Sequence, residues 1–125
     1  MKIKYIPILI TMLLVSYCLF GEGNSKDSKD VKLVPVQAKF VCMVNDKASD
    51  KEQIAVEVDG KTYYGCCQMC KQKLVDDSAI RNAVDPLTGK KVDKAKAFIV
   101  AAEDGAVMYF ENEDNFHKFQ SSNQK

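Results

Sequence analysis

The chain has 125 residues, 46% hydrophobic and 28% charged, which allows one small domain or two very small ones and excludes a large multidomain enzyme. Its 18 Lys and Arg against 17 Asp and Glu leave a formal net charge of +1, without the basic excess of a nucleic-acid-binding surface. Five Cys stand against one His and no Trp, so cysteine is the informative residue.

Lys2 and Lys4 form a short positive start, and Tyr5 to Phe20 is an apolar run broken only by small polar residues. With small residues around Gly21 and Gly23, this is the layout of a secretory signal over residues 1–23. The run falls short of the roughly 20 residues that a membrane-spanning helix needs. Two other readings stay open. One is an uncleaved anchor; the other is a lipoprotein signal cut before Cys18, because Leu14-Val15-Ser16-Tyr17-Cys18 resembles a lipoprotein processing site, with Tyr17 where a smaller residue is usual. Each places the rest of the chain outside the cytoplasm, in the periplasm or cell envelope, with membrane contact through a lipid on Cys18 in the last case.

Without residues 1–23 the chain carries 16 basic and 16 acidic residues and four cysteines, Cys42, Cys66, Cys67 and Cys70. Residues 24–33 open with a polar, low-complexity stretch that cannot bury a core, and they are expected to act as a tether. Two Asp-Gly pairs follow, Asp59-Gly60 and Asp104-Gly105, 45 positions apart. Each lies between short β-rich runs, the signal of a hairpin with a tight turn. A helix-like stretch follows each hairpin, Cys67 to Asp76 and Asn112 to Phe119. In the second of these, Phe116 and Phe119 are three apart and share a face; Leu74 occupies the aligned place in the first. The expected fold is α+β, with two tandem ββα-type repeats and small antiparallel sheets. The cysteine-bearing unit covers residues 34–80, the second unit 81–120, and a tail 121–125. Asp85-Pro86-Leu87-Thr88-Gly89 supplies turn chemistry between them.

Cys42 precedes the first hairpin, whereas Cys66 and Cys70 fall at its end and in the first turn of the helix. Four residues apart at a helix start, they point to one side. The unpaired N–H groups and partial positive charge there favour thiolate, a soft ligand for Cu(I) or Zn²⁺. The aligned second unit has Glu111 and Asn115 in place of Cys66 and Cys70, and so lacks these ligands.

Cys42, 23 intervening residues and then Cys66-Cys67-Gln68-Met69-Cys70, following the aromatic strand with Tyr63 and Tyr64, resemble the TRASH/YHS metal-binding modules. The resemblance implies a zinc-ribbon or treble-clef-like hairpin plus helix with a cysteine metal site. Asp85 to Val100, with Val107-Met108-Tyr109-Phe110 and the final helix, resemble the NosL-like copper accessory proteins. That family implies export, frequent lipid anchoring, Cu(I) bound through Cys and Met, and two ββα-type repeats. Its Cys-Gly-Met appears here as Cys42-Met43, without the glycine. Together the two resemblances cover most of residues 40–120.

The expected ligands are thus Cys42, Cys66 and Cys70, with Cys67, Met43 and Met69 as further candidates. Cu(I) suits two or three soft ligands, whereas a closed Zn²⁺ site needs a fourth, from Cys67, Asp46 or His117. The implied partners are the metal ion and an acceptor metalloprotein in the envelope. Two alternatives remain: a Cys67-x-x-Cys70 thiol–disulfide redox protein, and a structural envelope lipoprotein stapled by disulfides. An enzyme is not expected, since His117 is the lone imidazole and no phosphate loop, metalloprotease motif or carboxylate pair can be placed.

Overall fold

The computed structural model describes residues 31–124. The signal segment with Cys18, and the tether up to residue 30, lie outside the described residues. The protein is α+β, with small antiparallel sheets and two helices.

The first long hairpin pairs β4 (Ile54–Val58) with β5 (Lys61–Gly65) in register from Ile54 opposite Gly65 to Val58 opposite Lys61. Asp59 and Gly60 form a two-residue turn with φ of 53° and 73°. Positive φ at both central positions matches the right-handed twist of the strands, and Asp-Gly is a pair that adopts it at little cost. Val56 lies opposite Tyr63, and the pair enters the core together. Helix α1 (Gln68–Asp76) follows, capped by Cys67, whose sulfur accepts from the Cys70 N–H. Cys70 and Leu74, four residues apart, form its buried side.

Further along, β8 (Phe98–Ala101) pairs with β9 (Val107–Phe110), leaving a three-residue loop between Ala102 and Ala106. Helix α2 (Glu113–Asn123) starts at Asn112, whose side chain accepts from the Asn115 N–H at 2.9 Å. The helix runs on past Phe119 through part of the expected tail, because Gln120 to Asn123 contain no breaker.

Alternation in β8–β9 divides the interior in two. Ile99 and Tyr109 are opposite one another and face a core shared with Val41, Met43, Val56, Tyr63, Leu74 and Val92. Val100 and Phe110 face the other way, where Phe116 seals a second cluster with Phe98 and Phe119. The Phe110 ring lies 5.5 Å from Phe116 and 5.4 Å from Phe119, spacings of stabilising aromatic pairs. The main core therefore draws side chains from both halves of the sequence.

Three shorter pairings complete the sheets. A short strand β1 (Val34–Pro35) joins the edge of β8, and Leu33, a residue of the expected tether, packs on the aromatic cluster. Strand β2 (Val41–Cys42), entered from a 3₁₀ turn at Ala38–Phe40, pairs with β3 (Lys47–Ala48). Strand β6 (Asn82–Val84) pairs with β7 (Lys91–Asp93) around the Asp85–Lys90 turn. Asp85 is fully buried there as a hub: Oδ1 accepts from the Leu87 and Thr88 N–H groups, and Oδ2 from the Glu111 N–H and Asn115 Nδ2.

Candidate metal centre

The thiols come together because three separate backbone features converge. Cys42 closes β2, where pairing with Lys47 places it at the mouth of a turn. The next residue, Met43, donates its N–H to the Tyr64 carbonyl at 2.9 Å, which ties the chain after Cys42 to the strand leading into Cys66. Cys66 leaves β5, and α1 begins at once, bringing Cys70 back over the same point. Gly65 permits this close return, because a Cβ there would lie 3.0 Å from the Cys70 Cβ.

The Cys66 and Cys70 sulfurs are 3.5 Å apart, and those of Cys42 and Cys70 are 3.9 Å apart. All three lie within 4.8 Å of one another. Metal–thiolate bonds of about 2.3 Å demand sulfur–sulfur edges of about 3.8 Å in a tetrahedron, so two edges lie close to that value and the third is no longer than 4.8 Å. The donor set is soft and suits a soft metal ion. Cys42 and Cys70 are 3% and 6% exposed, whereas Cys66 faces solvent, so the cluster has two buried corners and one open one.

The local electrostatics differ at each sulfur. For Cys42, burial favours the neutral thiol, but backbone N–H groups of Asn45, Cys66 and Val44 outweigh it and draw the pKa below the ordinary thiol value. Burial pushes the Cys70 thiol up to about 12, helped by the neighbouring thiols. Cys66 is held down by its hydrogen bond with Cys70, but its contact with Cys42 and partial desolvation together raise it. Cys67 is lowered by the Cys70 backbone N–H, the cap hydrogen bond itself. A metal ion entering the cluster has to displace thiol protons, which couples its affinity to pH.

The other candidates lie outside the three-sulfur group, although Cys67 adjoins Cys66 and Cys70. Cys67 is exposed and serves as the α1 cap. Met43 is fully buried in the main core, and Met69 is 69% exposed on α1. The Asp46 carboxylate is engaged by Lys94 at 2.6 Å and Tyr109 at 2.8 Å. His117 is exposed on α2, 3.5 Å from Glu113.

Sequence reasoning passed over Asn45, whose amide nitrogen is 3.8 Å from the Cys66 sulfur, and Lys94. The Lys94 ammonium, on a residue 4% exposed, donates to the Met43 carbonyl at 2.7 Å and braces the turn that follows Cys42. The Asn45-Asp46 pair, a turn signal, was the available clue to Asn45. No local signal marks Lys94, which acts across 51 residues. Comparison with protein-family models, curated proteins and solved structures finds no match for the chain.

Proposed function

We propose that the protein is an exported carrier of a soft metal ion, holding Cu(I) on Cys42, Cys66 and Cys70 and passing it to an acceptor protein in the cell envelope. The observation that carries this reading is the convergence within 4.8 Å of three thiols, from β2, from the bend between β5 and α1, and from α1. When bound, the metal is the protein's cargo. Cys42 and Cys70 supply the sheltered side of its cradle, and Cys66 the exposed side from which it can be handed over. Zn²⁺ is the second choice: the three thiols that converge are enough for Cu(I), whereas a closed tetrahedral site would also have to recruit a fourth donor such as Cys67. The same proposal takes the chain as a tandem ββα duplication of TRASH and NosL-like character. The second unit is a scaffold without ligands, the export signal of residues 1–23 is either simply cleaved or cut before a lipidated Cys18, and there is no catalytic role.

The test is competition for Cu(I) between the reduced protein and a chromophoric chelator. One equivalent is expected to bind, and a variant lacking Cys42, Cys66 and Cys70 is expected to lose it. Equal binding by that variant would refute the proposal. A redox reading has one observation in its favour, the exposed Cys67 thiol with its pKa lowered by the Cys70 N–H. It predicts reversible Cys67–Cys70 oxidation that does not depend on Cys42.

A further inference from the structure

Cys42 and Cys66 also line a groove of about 360 Å³, whose remaining wall comes from the β2–β3 turn and the loop running on to β4. We propose that this groove binds a small anionic thiol, a thiol-bearing carboxylic acid or short peptide, whose sulfur comes to the open side of the Cys42–Cys66–Cys70 cluster.

Size, charge and donor chemistry carry the argument. The volume is at the scale of a small-ligand site, whereas a protein partner would spread over about 800 Å² of surface. The lining contains Lys47 and Lys51 and one acidic residue, Glu52. The Glu52 carboxylate is already held by Lys39 at 2.6 Å. Neither Lys47 nor Lys51 takes part in an ion pair among the described residues. Lys47 donates to the Asp104 carbonyl at 3.1 Å, which orients its ammonium without neutralising it. The groove therefore brings two lysines outside any ion pair together with the Cys42 and Cys66 thiols in one lining, Lys47 directly across the β2–β3 ladder from Cys42. Asn45 belongs to the same lining, its amide nitrogen 3.8 Å from the Cys66 sulfur. A ligand complementary to this lining carries a carboxylate for the lysines and a soft donor for the cluster. Binding is association alone, with no covalent bond made or broken.

The role of the ligand's sulfur beside a bound metal rests on the carrier reading; occupancy of the groove does not. The full chain, reduced, metal-free and ¹⁵N-labelled, is titrated with glutathione and with S-methylglutathione, which has the same charges but no free thiol. Both probes are expected to shift amide resonances of residues 45–53, and added salt to weaken binding. Lys47→Gln and Lys51→Gln are each expected to weaken it by about two- to fivefold. In Cu(I)-loaded protein, glutathione should bind more than about tenfold tighter than S-methylglutathione, the equivalent of one good soft contact. The proposal is overturned if neither probe shifts residues 45–53 or if the double lysine variant binds like the parent chain. Loaded protein that does not distinguish the two probes also overturns it. If the chain takes up no Cu(I), the carrier reading fails, and the metal-free titration still decides whether the groove binds the ligand.

Discussion

Replacing Asp85 tests whether the hub between the β6–β7 turn and the start of α2 is worth what its geometry implies. The residue is fully buried, and its carboxylate accepts from the Leu87 N–H at 2.8 Å, the Thr88 N–H at 3.3 Å, the Glu111 N–H at 2.9 Å and Asn115 Nδ2 at 2.8 Å. A hydrogen bond to a charged group contributes about 1.5–3 kcal/mol, and four would naively sum to more than a small domain's whole stability. Water can replace the acceptor at Leu87 and Thr88, which lie in a partly open turn. Asn115, 9% exposed, has no such recourse. Asp85→Ala is therefore expected to cost about 3–5 kcal/mol, the range for breaking a buried charged contact from one side. Asp85→Asn keeps the shape and one acceptor oxygen but turns an NH₂ toward the Glu111 N–H, for a smaller loss of about 1–3 kcal/mol. Urea denaturation of the reduced protein near pH 7 measures both.

Acid gives an independent check. Burial alone would raise the Asp85 pKa, but the donors from Glu111, Asn115, Leu87 and Thr88 outweigh it and hold the carboxyl below its ordinary value. A depressed pKa means that the ionised form stabilises the fold. That contribution is complete above the unfolded pKa of about 3.9 and disappears as pH falls through the lower folded value. The parent chain should lose stability on acidification below about pH 4, and Asp85→Asn should lose correspondingly less. Asp93, also depressed by Lys61 and other donors against burial, keeps some slope in both proteins. An Asp85→Ala cost below about 1 kcal/mol, or identical acid limbs for parent and Asp85→Asn, would refute the reasoning.

Gly65→Ala would place a Cβ 3.0 Å from the Cys70 Cβ and 3.3 Å from the Lys71 nitrogen; equilibrium unfolding should show a loss of about 1–3 kcal/mol, and Cu(I) affinity should fall as α1 is pushed off the cluster. Cys42→Ser, Cys66→Ser and Cys70→Ser should each lower Cu(I) affinity by more than about tenfold in chelator competition. Cys67→Ser, which supplies a good N-cap oxygen, should retain both affinity and helix content. Lys94→Met removes the brace to the Met43 carbonyl and leaves the half-exposed Asp46 without its cation, for an expected loss of about 1–3 kcal/mol in the same unfolding assay.

Local chemistry is where sequence reading succeeded. The Asp59-Gly60 turn was legible because a two-residue hairpin turn demands positive φ, which few pairs accept readily. Both helix starts were placed within a residue, since Cys67 and Asn112 each have a side chain that caps the third residue on. The shared face of Phe116 and Phe119 followed from helical spacing. Strands β1, β2, β3, β6 and β7 were not anticipated. Each is two or three residues long, too short for alternation to register, and β1 finds its partner 67 residues away, Val34 opposite Ala101. Asp85 read as an ordinary turn residue, because its two bonds to Leu87 and Thr88 are those of any such turn, whereas the two from Glu111 and Asn115 come from chain 26 and 30 residues away.

By itself, then, the sequence determined the soft character of the donors, the Cys66–Cys70 spacing on one side of a helix start, and the two long hairpins. These depend on residues near one another along the chain. Only the tertiary structure decided that Cys42, 28 residues from Cys70, comes within 3.9 Å of its sulfur. It also decided that Met43 turns into the core and that the Asp46 carboxylate is taken by Lys94 and Tyr109. The physical reason is common to all three. Cys42, Met43 and Asp46 lie in and beside one short β2–β3 turn, and its position is set by distant pairings, the Met43 N–H to the Tyr64 carbonyl and the buried Lys94 ammonium to the Met43 carbonyl.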